Sequence, residues 1–281
     1  MKPNLASIIF SKNRALQLRA VLDSFFLNCR DSKDVDIVVL YKVTSKSHSQ
    51  QYQVLKEIFK KIVFIEENRL LEQLIGATKK YEYVLLQVDD TIFTNSFLLS
   101  EVRSALQENS DALGFSLRLG SNTTYCYNHK SNQRVPEFLQ ITDTIVKYQW
   151  SGAQLDFGYP LEVSSSVYRT RDVMPIWLKN VNVNVPHVVN YIEDVMNRIR
   201  GKFANAFPYL LCYKQSVAFS NPMNGVSTLP KNWNIPVWGD ERFSVDTLMK
   251  AFDLGYKMNV SKLVGFTTNS CHQEVELEFI K

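Results

Sequence analysis

The feature that most limits the fold is the strict alternation of short apolar runs and amphipathic stretches over the first third of the chain. Residues 5–10, 36–41, 62–65 and 83–88 read as strands. Between them Leu18, Val21, Leu22 and Phe25, then Tyr52, Leu55, Ile58 and Phe59, then Leu70, Leu71, Leu74 and Ile75, fall on single helical faces. Strands that alternate with helices imply right-handed βαβ crossovers and a mostly parallel sheet. The fourth run, with Val84, Leu85, Leu86 and Val88, is nearly continuous in its apolar character, as a strand covered on both faces must be.

Charge begins where that strand stops, at Asp89-Asp90-Thr91. Ligands of open α/β sheets gather beyond the carboxyl ends of the strands, so this pair is placed to hold a cation or a polar ligand. A divalent metal with phosphate suits two carboxylates, and the same pair also suits a loop start and a helix cap. Ser11-Lys12-Asn13-Arg14 forms a polar, basic turn after the first strand, where Lys and Arg are available to phosphate or base edges; a solvated turn is the alternative. No Gly-x-Gly-x-x-Gly turn is present, which argues against a dinucleotide cofactor.

The second part is less regular. A helix is expected around residues 97–106, capped from Thr94, Asn95 or Ser96, followed by strands at 112–117 and 144–150. Between them residues 120–150 are rich in Asn, Ser and Tyr. The loop 151–161, with Phe157 and Tyr159 beside Asp156, either stacks a sugar ring or fills the core. A short strand near 167–169 and a helix near 173–178 come next. Asn184-Val185-Pro186 then opens a helix in which Val189, Ile192 and Met196 share a face. Glu193 and Asp194 sit in its middle, and neighbours on a helix diverge by about 100°, so one can face a cleft while the other meets solvent. Residues 216–220 read as a strand and 242–252 as a helix.

Bulk properties set bounds on function. At 281 residues and 45% hydrophobic the chain can bury a large core, and Lys+Arg 32 against Asp+Glu 28 is too even to imply a nucleic-acid partner. Cys29, Cys126, Cys212 and Cys271 lack paired spacing, which points to free buried thiols. Neither a signal-peptide core nor a membrane-spanning run is apparent, so the expectation is a cytoplasmic protein with no transmembrane segment, peripheral membrane contact being left open.

The acidic strand end, the βαβα units opening with Ser11-Lys12-Asn13-Arg14 and the mixed second half together resemble the GT-A glycosyltransferases, family 2-like. Phe115-Ser116-Leu117-Arg118-Leu119-Gly120, Asp156-Phe157-Gly158-Tyr159-Pro160, Val217-Ala218-Phe219-Ser220 with Asn221-Pro222, and Cys271-His272-Gln273-Glu274 look like blocks of a bacterial-type branch. The resemblance spans nearly the whole chain and rests on the order of the blocks. It implies one α/β GT-A domain over residues 1–281, with a Rossmann-like nucleotide-sugar-binding half, 1–110, and a mixed α/β acceptor-binding and catalytic half, 111–281.

The implied activity moves a sugar from a nucleoside-diphosphate sugar to a hydroxyl of a glycan, lipid-linked or protein acceptor, by inversion, with a carboxylate base and Mn²⁺ or Mg²⁺. The implied donor site is Ser11, Lys12, Asn13, Arg14, Tyr41, Gln87 and Asp89; the implied metal site is Asp89, Asp90 and His272; the implied acids are Glu193, Asp194 and Asp156. The family's Asp-x-Asp is not matched, because the spacing here gives Gln87-x-Asp89 or Val88-x-Asp90. His48, His129 and His187 have weaker claims than His272. Two other readings accompany this one: a sugar nucleotidyltransferase, which would show a glycine-rich loop after the first strand, and a non-catalytic sugar-nucleotide or glycan-binding subunit.

Overall fold

The computed structural model describes residues 4–181, 189–224, 241–276 and 278–281. The first third follows the alternation in the sequence: β1 (Leu5–Lys12), α1 (Ala15–Asn28), β2 (Asp36–Lys42), α2 (Lys46–Ile58), β3 (Val63–Glu66), α3 (Leu70–Thr78) and β4 (Tyr83–Val88). β1 lies parallel between β2 and β4, and β3 flanks β2. Alternate residues of β1 enter opposite layers, Leu5 and Ile9 packing with α1 on one face and Ala6, Ile8 and Phe10 with α3 on the other.

After β4 the chain makes a tight turn through Asp89 and Asp90 into β5 (Thr91–Phe93), a strand the sequence pattern did not announce, and then α4 (Leu99–Glu108). The nitrogens of Leu99 and Ser100 at the start of α4 donate to the distant Asp31 carboxylate at 2.9 and 2.7 Å. The expected cap from Thr94, Asn95 or Ser96 is therefore replaced by one supplied across the fold. β6 (Ala112–Ser116) follows, then the small pair β7 (Tyr125–Cys126) and β8 (Ser131–Asn132), β9 (Leu139–Gln140), and β10 (Ile145–Gln149).

β11 (Ser165–Arg169) inserts antiparallel between β4 and β6, and β12 (Tyr209–Tyr213), which was not anticipated, lies parallel to β6. The full order is β3-β2-β1-β4-β11-β6-β12-β10-β9. The nine-stranded sheet thus joins a parallel Rossmann-like half to a mixed half, as the sequence implied. α5 (Thr170–Asn180) and α6 (Val189–Arg198) cover the mixed half, where the Trp177 ring nitrogen meets Met196 Sδ at 3.3 Å. The expected opening of α6 at residues 184–186, and His187, lie outside the described residues. β13 (Ala218–Ser220) pairs antiparallel with β5, and α7 (Val245–Asp253), β14 (Lys257–Met258) and β15 (Phe279–Ile280) complete the chain.

This topology sends several segments to one edge. The turn after β4, the residues after β6 and the loop before the antiparallel β11 all meet at the carboxyl ends of the parallel strands. Gly120, two residues beyond Arg118, lets the chain pass close to its neighbours: a Cβ there would lie 2.5 Å from Asn122 Oδ1 and 2.6 Å from Ser216 N. Gly120→Ala is expected to cost about 1–3 kcal/mol in denaturant unfolding, the usual penalty for overpacking. All four cysteines are buried and free, and among the described residues no helix is long and apolar enough to cross a membrane.

Candidate functional site

The strand edge contains two adjoining groups of polar side chains. The first lies at the ends of β1 and β4. Asp89, 4% exposed, accepts from the backbone N–H of Lys12 at 3.0 Å and from Arg14 Nη1 at 2.8 Å. Arg14, 8% exposed, also reaches Asn224, whose Oδ1 accepts from Nε at 2.8 Å and whose carbonyl accepts from Nη2. Both charges are therefore spent on each other and on the chain, and the pair welds the first turn to the segment after β13.

Asp90 is less engaged. Its Oδ2 is 3.8 Å from Arg14 Nη1, and its Oδ1 is buried without a hydrogen-bond partner among the described residues. Burial raises its carboxyl to about 6, against the opposing pull of Arg14. The backbone holds this residue firmly, since Asn221 N donates to Asp90 O at 2.8 Å.

The remaining residues of the expected donor site take several positions. The Ser11 hydroxyl bonds Tyr52 Oη, and Lys12 is partly buried with its ammonium lowered by desolvation. Asn13 adopts the left-handed conformation, φ 57°, and clasps Thr44 through both ends of its amide at 2.7 and 3.0 Å. Its side chain thus serves the turn. Tyr41 stacks on Tyr52 with 4.5 Å between ring centres and is buried, so that ring face is already covered. Gln87 points inside the sheet, its Nε2 donating to Ser7 Oγ at 2.7 Å, and does not reach the edge.

The second group lines a cavity of about 320 Å³. Arg118, just beyond β6, is 6% exposed; its Nη2 donates to Glu162 Oε2 at 2.8 Å, and its Nη1 approaches Ser220 Oγ at 3.0 Å and His272 Nε2 at 3.3 Å. Glu162 is further held by the N–H groups of Ser164 at 2.5 Å and Ser165 at 3.2 Å, and by the Ser166 hydroxyl. Asp156 accepts from Gln133 Nε2 at 2.9 Å, and burial raises its carboxyl above the ordinary range.

Glu193 and Asp194 diverge as helix geometry requires. Glu193 lines the cavity; burial, reinforced by the charge of Glu162 and opposed by Arg118, pushes its carboxyl up to about 8. Asp194 turns outward and pairs with Arg198 one turn along α6. The loop 151–161 divides its aromatics, with Phe157 buried against Phe138 and Tyr148 and Tyr159 39% exposed at the cavity wall.

His272 sits at the junction of the two groups, its backbone bridged to Ser220 beside β5. Burial and the adjacent guanidinium lower its imidazole to about 3, so it is neutral with Nε2 turned to Arg118. Of the three residues expected to share a metal, Asp89 faces Arg14, His272 faces Arg118, and Asp90 keeps one buried oxygen without a hydrogen-bond partner among the described residues. Among the described residues no cluster of three or more His, Cys, Asp or Glu side chains is placed to hold a metal ion. A Mg²⁺-like ion needs only one or two carboxylates when substrate phosphates and water complete its shell, and Asp90 fits that smaller demand.

Arg118 and Glu162 were not singled out as functional in the sequence. The signal for Arg118 was the same as for Asp89, a charged residue directly after an apolar strand.

No family model matches the chain. It is similar to the bifunctional glycosyltransferase pgtA of Dictyostelium discoideum, 32% identical over 270 residues that take in 86% of this chain and 34% of that protein. The chain thus spans about a third of the length of that relative, and the relationship to a glycosyltransferase implied by the motifs is met in the sequence. Solved structures with a similar course include the mannosyltransferase PcManGT from Pyrobaculum calidifontis in complex with GDP-Man and Mn²⁺, at 12% identity and TM-score 0.47 over 83% of this chain and 59% of that one. Another is a TarS fragment from S. aureus in complex with UDP-GlcNAc, at 15% identity and TM-score 0.48 over 80% of this chain and 60% of that one.

Proposed function

We propose that this chain is a glycosyltransferase that moves a sugar from a nucleoside-diphosphate donor to an acceptor hydroxyl, by inversion. The observation that carries the reading is the adjacency, along one sheet edge, of Asp90 with its unpartnered buried oxygen and a cavity into which Glu193 and Asp156 project. The sequence relationship to a named glycosyltransferase supports it. In this reading residues 1–110 hold the nucleotide, through Ser11 and Lys12 at the end of β1, and residues 111–281 hold the acceptor.

Asp90 would hold the divalent cation together with diphosphate oxygens. When bound, Mn²⁺ or Mg²⁺ would offset the charge that builds on the leaving phosphate. Asp89 anchors the turn through Arg14, and Glu193 takes the proton of the acceptor hydroxyl, with Asp156 as the second candidate. Asp194, paired with Arg198 at the surface, supports the helix.

Incubation with UDP- and GDP-sugars, Mn²⁺ and simple glycoside acceptors, with release of UDP or GDP measured, tests the reading. Release that depends on acceptor is expected. A rise in melting temperature with the same donors but no release would make the chain a binding subunit instead.

A further inference from the structure

The cavity is lined by carboxyl groups that can bond hydroxyls, and the one arginine among its described lining residues is already paired with one of them. Three carboxylates reach it from separate elements: Asp156 from the turn Leu155–Gly158, Glu162 from the loop before β11, and Glu193 from α6. Arg118 is the arginine that faces them, and its charge is already matched. One end of its guanidinium is bound to Glu162 at 2.8 Å and the other lies against Ser220 and His272. Its Nε remains, buried and without a partner, as a single N–H for one ligand oxygen. No lysine lines the cavity among the described residues, and His129 is the other imidazole at the wall besides the neutral His272.

The geometry points to a substrate class: the ring held in this cavity is an uncharged, polyhydroxylated sugar, and acidic sugars such as uronates are rejected there. This rests on the glycosyltransferase reading above. Sugar hydroxyls can bond the carboxyl groups of Asp156 and Glu193 while one ring oxygen or hydroxyl accepts from Arg118 Nε, and the exposed face of Tyr159 offers an apolar wall for ring C–H groups. A ligand carboxylate would be stripped of water with no free cation among the described lining residues to receive it, since the nearest guanidinium is already neutralised by Glu162. Burial already raises the carboxyl groups of Glu193 and Asp156, so the cavity disfavours negative charge on its own groups as it would on a ligand's.

The ring could belong to the donor or to the acceptor, and the test separates them. In one arm, methyl glucoside and methyl glucuronide, with the matching galacto and manno pairs, are titrated by calorimetry in the presence of UDP or GDP. In the other, UDP-glucose is compared with UDP-glucuronate and UDP-galactose with UDP-galacturonate. The neutral member is expected to bind at least about tenfold more tightly in one arm, and that arm identifies which ring the cavity holds. Asp156→Asn is expected to narrow the ratio by about threefold or more, because it removes one like charge, and Glu193→Gln is expected to do so only above about pH 8, where the Glu193 carboxyl is ionised.

Equal or tighter binding of the acidic member, or no ring binding in any pair, overturns the inference. UDP and GDP alone report on the strand edge. Nucleotide binding without discrimination between rings defeats this inference and leaves the glycosyltransferase reading standing, whereas absence of nucleotide binding defeats both.

Discussion

Replacing Glu193 with Gln is expected to lower sugar transfer by about 10² or more while leaving the affinity for UDP or GDP within about threefold, because the change removes proton acceptance and keeps shape. Its direction of effect with pH follows from the environment of the carboxyl. Burial and the charge of Glu162 raise it to about 8, so below that pH it carries a proton and cannot act as a base. Wild-type kcat/KM should therefore climb from about pH 6 and level off above about pH 8, and the residual activity of Glu193→Gln should lose that rise. Asp194→Asn is the control, since this carboxylate turns to Arg198 at the surface and an exposed pair contributes only about 0–1 kcal/mol. A wild-type rate in Glu193→Gln would pass the role to Asp156. A large loss in Asp194→Asn alone would mean that α6 turns when substrate binds.

The reading of the fold from sequence succeeded where hydrophobic period and length agree. The strands β1 to β4 are short apolar runs and the helices between them have one-sided apolar patterns, and their boundaries match the sequence reading to within a few residues. β5 and β12 escaped notice for different reasons. Three residues, Thr91–Phe93, are too short for a period, and Tyr209–Tyr213 lies between polar turns with no alternation, being buried nearly throughout. The cap of α4 could not be read locally, because Asp31 is brought to it by tertiary folding.

At the site, the sequence located the acidic turn and the Glu193-Asp194 pair but not their partners. That Arg14 turns inward to Asp89 and Asn224 depends on a contact across 210 positions of sequence. The Arg118–Glu162 pair spans 44 positions, and neither residue stands out by type. Gln87 and Tyr41, expected at the donor site, lie near the carboxyl ends of their strands, where Gln87 bonds Ser7 and Tyr41 stacks on the Tyr52 ring. Side-chain direction at a strand end is set by what the neighbouring strand and loop can bond, and that information is not local.

The two aspartates after β4 should fail in different ways. Asp90→Asn is expected to abolish Mn²⁺-supported transfer and to remove the extra thermal stabilisation that Mn²⁺ gives the UDP or GDP complex, since its buried Oδ1 is the one acid oxygen of the pair left for a cation. The fold should not suffer. The Asp90 carboxyl titrates at about 6 in the folded chain, above its ordinary 3.8, so wild-type stability is highest below about pH 4 with respect to this group and falls as pH rises to 6. An amide has no such dependence, and at neutral pH the variant should melt at the wild-type temperature or higher. Asp89→Asn acts on a buried ion pair instead. It leaves the Arg14 guanidinium, 8% exposed, without its 2.8 Å counter-charge, which is expected to cost about 3 kcal/mol or more and lower the melting temperature with or without metal. Melting curves of both variants, with nucleotide and with or without Mn²⁺, decide the division of labour. If Asp90→Asn keeps both the metal response and turnover, the cation is not held there. If Asp89→Asn melts like the wild type, the Arg14 pair does not anchor the turn, and Asp89 becomes free to contact the donor.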